Sequence, residues 1–231
     1  MPETQPVKNY LTQLSHDMIL IEKGDFVMGD DDSKISFPND FYFCKYPVTQ
    51  GLWKVVMEEN PSQFKGDDRP VELVMRTDIL RYFIPKLNEL TGEKYRLPTE
   101  AEWEYVAIGG KNGNHKLKFS GSNFLKEVGW FEKNSFGETK PVGLKKANEL
   151  GIFDMSGNVW EFCQDEWHNH LINMPDDGRY RIHKKRTGSI PVIRGGAWNS
   201  KERDVQATSR KRGTSLDGNK DVGFRLAKNA F

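Results

Sequence analysis

The chain has 231 residues, of which 36% are hydrophobic and 29% charged, and its formal net charge is +1. This balance is typical of a globular protein and excludes a disordered chain. A net charge so close to zero provides no field that would attract nucleic acid or an acidic membrane, so we expect neither as a partner. The sequence has no apolar run of the length that a membrane span requires.

The number of cysteines and the N-terminal residues indicate the cellular compartment in which the protein would be found. Two cysteines, Cys44 and Cys163, are too few for a disulfide framework. The N-terminus lacks the basic start and the apolar block of a signal peptide. The sequence as it stands predicts a cytoplasmic protein, and a piece trimmed from a longer chain would give the same prediction. Without a linker or repeat, we expect an N-terminal extension at residues 1–16 and a single domain at residues 17–231.

The first part of the chain alternates short apolar runs with turns. Met18–Glu22 and Phe26–Met28 flank a Lys-Gly-Asp turn and predict a hairpin. Phe41–Val48 predicts a third strand. After it the apolar spacing becomes helical, with Thr49 as the predicted N-cap.

Two further helices and an irregular region are predicted in the middle of the chain. Asp78–Leu90 has helical spacing with Pro85 inside it, so we expect a kink or a helix that begins near the proline. Thr99 and Glu102 have the spacing of a capping box, which predicts a helix start. Residues 109–150 are rich in Gly, Asn and Lys, and we expect an irregular region held by isolated aromatic rings.

The C-terminal part combines buried strands with a long polar segment. Val159–Phe162, Val192–Ile193 and Val222–Leu226 predict buried strands. Few large apolar residues lie between the last two, so this run predicts a long loop that is held at both ends. Short strands, two or three helices and many loops indicate an α+β class.

Six motifs carry a resemblance to a known family. They are KYPVTQGLW (Lys45–Trp53), NPSQFKGDDRPVE (Asn60–Glu72), RLPTEAEWEYVA (Arg96–Ala107), GIFDMSGNVWEF (Gly151–Phe162), RGGAWNS (Arg194–Ser200) and VGFRLA (Val222–Ala227). In this order and spacing they resemble the formylglycine-generating enzyme family, the sulfatase-modifying factor domain, from about residue 17 onward. The resemblance implies a loop-rich C-type lectin-like fold of the formylglycine-generating-enzyme subtype, with the two C-terminal strands in its central sheet.

The resemblance also implies where catalysis would take place. In that family two cysteines after the Gly-Gly pair bind copper, and the enzyme oxidises a substrate cysteine to formylglycine. The matching positions here are Ser200 and Val205. Neither side chain supplies the soft thiolate that copper(I) prefers, so we expect no oxidase reaction. The alternative is a diverged oxidoreductase of this type or an accessory enzyme.

A structural calcium ion is the one candidate cofactor, and it too is implied by the resemblance. The matching positions are Asp154, Gly157 and Val159, which would bind the ion partly through main-chain carbonyl oxygens. A glutamate ligand of characterised relatives matches Pro47 here, so one oxygen ligand is missing. The alternative is that Asp154 simply caps its turn.

Four arginines match recurrent family arginines: Arg194, Arg210, Arg212 and Arg225. We expect them to pack against aromatic rings or to pair with Glu161 and Asp165. Trp160, Gly196 and Phe224 have the pattern of core residues, so we expect their substitution to unfold the protein.

The favoured functional hypothesis is a non-catalytic protein that binds a protein or another macromolecule through residues 198–221. One group in the family uses this segment as the hypervariable region of diversity-generating retroelements, and the resemblance implies a variable protein of that kind. Some other non-catalytic binding or accessory role is the alternative. The predicted contact residues are Trp198, Asn199, Lys201, Asp204, Gln206, Ser209, Lys211, Thr214, Leu216 and Asn219.

Overall fold

The computed structural model describes residues 5–29, 33–114, 116–172, 174–182, 190–214 and 218–230. In chain order the elements are α1 (Gln5–His16), β1 (Met18–Ile21), β2 (Asp25–Met28), β3 (Ser33–Ser36), β4 (Phe41–Cys44), α2 (Gln50–Met57), α3 (Arg76–Asp78), a π-helical turn (Ile79–Phe83), α4 (Ile84–Thr91), α5 (Glu100–Ala107), α6 (Leu125–Val128), β5 (Trp160–Glu166), β6 (Pro191–Arg194), β7 (Arg210–Arg212), β8 (Val222–Gly223) and β9 (Ala227–Asn229). Within these ranges, no helix is both long enough and apolar enough to cross a membrane.

The strands of the described residues form three sheets. One has the order β1-β4-β9, a second is the ribbon β2-β3, and the third, which we call the central sheet, has the order β7-β6-β5-β8. The predicted hairpin of the first two strands is wrong, because Met18 lies opposite Cys44 and Phe26 opposite Ile35. Both partners lie further along the chain, so pairing between more distant residues overrides the local turn signal.

The predicted helix starts are confirmed. The Leu52 N–H donates to Thr49 Oγ1 at 3.3 Å, which caps α2. The Thr99–Glu102 capping box is formed at the start of α5. Pro85 is the second residue of α4, which begins directly after the π-helical turn, so the expected helix start near the proline is confirmed.

Aromatic rings join the helices to the central sheet. The Trp53 and Phe83 rings stack with their centroids 4.9 Å apart, and Phe224 meets Phe83 edge-on at 5.2 Å. All three rings are buried. Phe224, the residue after β8, therefore packs this end of the central sheet against α2 and the π-helical turn.

Helix α5 is buried along all eight residues, including three glutamates. Burying a carboxylate is costly unless it is paired, so each glutamate has a cationic partner. The Arg210 guanidinium donates to both oxygens of Glu100 at 2.7 Å, and Arg194 pairs with Glu100 and Glu104. These ion pairs connect β6, which contains Arg194, and β7, which contains Arg210, to α5.

The expected pairing of Arg225 with Glu161 is confirmed. Two hydrogen bonds of 2.7 and 2.6 Å join them, and both side chains are fully buried. Asp165 differs from the expectation, because it accepts main-chain N–H groups of Glu100 and Arg181 rather than a guanidinium. Among the described residues, no cationic side chain forms an ion pair with Asp165.

The expectation of an uninterrupted loop after Trp198 is wrong. Residues Arg210–Arg212 form β7 and pair antiparallel with β6, so that Lys211 lies opposite Ile193. Val205 and Ala207 are buried, which holds the first half of the segment against the domain. The segment therefore forms a supported surface with an edge strand at its centre.

Candidate functional site

A cleft of about 290 Å³ opens beside residues 198–221, which we call the C-terminal segment. It is lined by Trp160, Asn199, Ser200, Lys201, Arg203, Asp204, Lys211 and Asp221. Four of the predicted contact residues, Asn199, Lys201, Asp204 and Lys211, are thus brought together by the fold. The volume is small for a drug-sized ligand and suits side chains or a short segment of a partner.

The central sheet provides the base of this cleft. Trp160, in β5, is only 3% exposed, and the Lys211 ammonium lies 5.0 Å from its ring centroid. On the rim, the Asn199 side-chain amide donates to Asp221 at 3.2 Å. Lys201 and Arg203 are exposed. The cleft therefore has an aromatic base that a lysine covers and a charged rim.

Trp198 supports the cleft from inside. It is 8% exposed, its indole N–H donates to the Lys220 carbonyl at 3.1 Å, and its ring meets Phe64 edge-on at 5.3 Å. Direct contact of this tryptophan with a partner would require movement of the covering residues, so the structure favours a supporting role for it.

Several of the remaining predicted residues form hydrogen bonds that shape the segment. The Ser209 hydroxyl donates to the Arg203 carbonyl at 2.8 Å, and the Asn219 amide donates to Thr214 Oγ1 at 2.7 Å. Gln206 is half-buried, and Leu216 lies outside the described residues. Their contact with a partner stays a prediction.

The two positions that match the family's copper cysteines differ in their surroundings. Ser200 lines the cleft, and its hydroxyl accepts the Ala197 N–H at 2.9 Å. Val205 is fully buried in an apolar cluster with Phe119 and Phe131. A hydroxyl and an isopropyl group provide no thiolate pair, so these residues do not fit a copper(I) centre.

The two cysteines of the chain lie elsewhere. Cys44 and Cys163 are both buried and free. Burial raises the pKa of the Cys44 thiol to about 11 and that of Cys163 well above its ordinary value. Neither lines the cleft, and both are held as neutral thiols with low nucleophilicity.

The candidate calcium turn contains one unsatisfied oxygen. Asp154 Oδ2 accepts the Gly143 N–H at 2.8 Å, whereas buried Oδ1 has no hydrogen-bond partner, and burial raises the pKa of this carboxyl to about 6. An unbonded buried carboxylate oxygen suits a cation, so Asp154 fits as a ligand. Gly157 and Val159 would add carbonyl oxygens.

Calcium binding at this turn stays a prediction. Among the residues that the structure describes, no three His, Cys, Asp or Glu side chains are grouped as a metal site would require. The ion would therefore depend on main-chain oxygens, and melting curves with calcium and with a chelator would test it.

Four residues of the cleft were not among the contact residues predicted from the sequence, and one of them, Ser200, was singled out only as a position that matches a copper cysteine. Trp160 was assigned only to the core, and Arg203 and Asp221 were not distinguished within the polar run. No local signal identifies them, because Trp160 and Asp221 reach the cleft only through the parallel pairing of β5 with β8.

Known proteins share sequence and fold with this chain. Residues 4–230 match the family described as the sulfatase-modifying factor enzyme 1-like domain. The chaperone protein LppX of Paenibacillus barcinonensis is 36% identical, over 82% of this chain and 81% of that protein. The formylglycine-generating enzyme of Thermomonospora curvata is 27% identical over 78% of this chain, which spans 62% of that enzyme.

A solved structure shows the same fold. Treponema denticola variable protein 1 superposes with a TM-score of 0.81 and 28% identity, covering 92% of this chain and 94% of that one. The resemblance carried by the six motifs is confirmed, as is the loop-rich C-type lectin-like fold of the formylglycine-generating-enzyme subtype.

Proposed function

The chain belongs to the sulfatase-modifying factor enzyme 1-like domain family, and from this premise we propose that it is a non-catalytic binding protein. Its contact surface is the C-terminal segment, residues 198–221, and its partner is another protein. The observation that carries the proposal is the cleft, which gathers Asn199, Lys201 and Lys211 around Ser200, one of the two positions that match the family's copper cysteines. The cleft provides a concave surface and lacks the copper ligands.

Two similarities support binding over catalysis. One relative is named as a chaperone, and a structure of the same fold is named as a variable protein. The contact residues lie on a segment that α5 and the central sheet hold rigidly, as binding loops on a scaffold generally are. The exposed side chains can then change without loss of the fold.

A binding experiment tests the proposal directly. Random dodecapeptides displayed on phage are selected on the wild-type protein, and the affinity of the tightest peptide is measured by calorimetry. We expect the combined variant Asn199→Ala, Lys201→Ala, Lys211→Ala to weaken binding by about tenfold or more. The matched control Asn39→Ala, Lys34→Ala, Lys86→Ala removes the same three side-chain types at exposed positions outside the cleft.

Equal binding by both triple variants would overturn the proposal. A second arm addresses catalysis: the protein is incubated with copper(I) and a cysteine-containing peptide of the sulfatase type, and the peptide is analysed by mass spectrometry. Conversion of the cysteine to an aldehyde would show that the chain is an oxidase and that Ser200 and Val205 do not abolish the reaction.

Genetic variability of the segment is the finer part of the proposal. Sequencing of the gene's 3′ end and the adjoining DNA in several isolates would reveal a near-copy of the coding segment for residues 198–231 that differs mainly at adenines. We expect such a copy for a retroelement variable protein. An invariant segment without a copy would remove that interpretation and leave the binding proposal standing.

A further inference from the structure

A second loop flanks the cleft. This loop, which we call the Phe136 loop, comprises Phe131–Lys140. The Ser135 hydroxyl donates to the Trp198 carbonyl at 2.8 Å, and the Glu132 N–H donates to the Ser200 carbonyl at 3.1 Å. The stretch from Trp198 to Ser200 also supplies Asn199 to the cleft, so the Phe136 loop lies next to one of the stretches that line the cleft.

Phe136 is the most exposed large apolar side chain among the described residues. It is 87% exposed, and its backbone has a φ of 58°. The left-handed region is unfavourable for a bulky side chain, and an exposed ring gains nothing from burial in the core. The Lys140 ammonium lies 5.3 Å from its centroid, which is a weak exposed contact. The fold itself therefore gives no reason for a phenylalanine here.

The loop that carries this ring is tightly held. The Asn134 side chain accepts the Phe131 N–H at 2.8 Å and donates to the Gly129 carbonyl at 2.9 Å. The Lys140 N–H donates to Asn158 Oδ1 at 2.9 Å. Because both ends are fixed, the ring position is preorganised, and a partner that binds it loses little additional loop entropy.

We propose that Phe136 is an aromatic anchor that packs against apolar side chains of the protein segment bound at the cleft. Unfavourable backbone conformations are retained mainly where they serve a function, and exposed aromatic anchors beside a polar rim dominate many protein interfaces. This inference rests on the proposed binding function and adds a contact element from a different part of the chain.

The charge around the ring specifies the chemistry of the partner. Exposed basic residues on this surface are Lys201, Arg203, Lys211 and Lys220. The exposed carboxylates of the same surface, Glu132 and Glu202, are fewer than these basic residues. Asp204 and Asp221, in contrast, are half-buried, and Asp221 accepts a hydrogen bond from Asn199. The partner segment therefore presents apolar side chains flanked by Asp or Glu.

The test uses Phe136→Asn, because asparagine tolerates the left-handed backbone. We expect the tightest selected dodecapeptide to bind this variant about tenfold more weakly, with a melting temperature equal to or above that of the wild type. Phe124→Asn is the matched control, since Phe124 is 71% exposed but has an ordinary φ of −107°. We expect this control to change the affinity by less than about twofold.

The outcomes separate this inference from the proposed function. If the cleft triple variant abolishes peptide binding and Phe136→Asn does not, the anchor is wrong and the binding surface stands. If neither variant matters, the proposed function fails as well. A fall in melting temperature for Phe136→Asn, or an equal loss of affinity in Phe124→Asn, would also overturn the anchor.

Discussion

The C-terminal part of the chain, from Arg194 to Arg225, contains two sets of basic residues that the protein uses in opposite ways. Arg194 and Arg225 are fully buried and bind the carboxylates of α5 and β5. Lys201, Arg203 and Lys211 lie on the surface a few residues away and surround the cleft. The first set joins this part of the chain to the scaffold, whereas the second set is available to a partner.

The difference shows that charge in a sequence does not by itself indicate a binding surface. A buried arginine that loses its carboxylate leaves an uncompensated charge, so the scaffold depends strongly on each pair. An exposed lysine contributes little to stability, so the surface set can vary freely. Substitutions in the two sets should therefore have clearly separate effects.

The largest effect is expected from Arg225→Met. Glu161 would remain buried without its partner, and we expect the free energy of unfolding to fall by about 3–5 kcal/mol. Urea unfolding followed by circular dichroism measures this change. The control Arg203→Met removes a guanidinium whose side chain is 77% exposed, and it should change stability by less than about 0.5 kcal/mol. Similar losses in both variants would contradict the comparison.

Gly196→Ala tests the close contact between Gly196 and Val205. A Cβ at Gly196 would lie 2.3 Å from Val205 Cγ1, at a backbone φ of 76°. We expect a loss of about 2–4 kcal/mol from strain and overpacking together. Gly151→Ala has the same strain, with a φ of 77° and no atom within 4 Å, and should lose about 1 kcal/mol. If thermal unfolding shows equal losses, the close contact does not matter.

A moderate effect is expected from pH. Burial, and then the charge of Glu100, raise the pKa of Asp165 to about 7, and burial raises that of Asp154 to about 6. Because both folded-state values exceed the unfolded value, their stabilising contribution is complete below about pH 4 and is lost as the pH rises through about 7.

We expect the ionisation of Asp165 alone to lower the free energy of unfolding by about 2–3 kcal/mol between about pH 5 and pH 8. Urea unfolding of the wild type and of Asp165→Asn at both pH values measures it. The variant should show a smaller decrease than the wild type. An identical pH dependence of the two proteins would mean that Asp165 ionises normally in the folded state.

The smallest effect on stability is expected from substitutions of the side chains that line the cleft. The single variants Asn199→Ala, Lys201→Ala and Lys211→Ala should each change the free energy of unfolding by less than about 0.5 kcal/mol. Differential scanning calorimetry measures them against the wild type. A loss above about 2 kcal/mol in any of them would assign that residue to the scaffold and remove it from the binding surface.

Local patterns were sufficient for much of the fold. The capping box at Thr99, the N-cap at Thr49 and the buried strand at Val192–Ile193 depend on residues within a few positions of one another, and all were predictable. The pairing of Met18–Ile21 could not be predicted in this way, because β1 pairs with β4, which lies about twenty residues further along the chain. The same limit applies to β7, whose three polar residues carry no strand signal.

The sequence by itself determined the family, the fold class and the loss of the thiolate pair, since these follow from residue identities at fixed spacings. Only the tertiary structure decided which basic residues are inside and which line the cleft. Glu100 and Arg210 are 110 positions apart, and Ser135 and Trp198 are 63 apart. Such pairs form because packing brings distant segments together, and no local preference encodes them. The cleft and its neighbouring Phe136 arise for that reason.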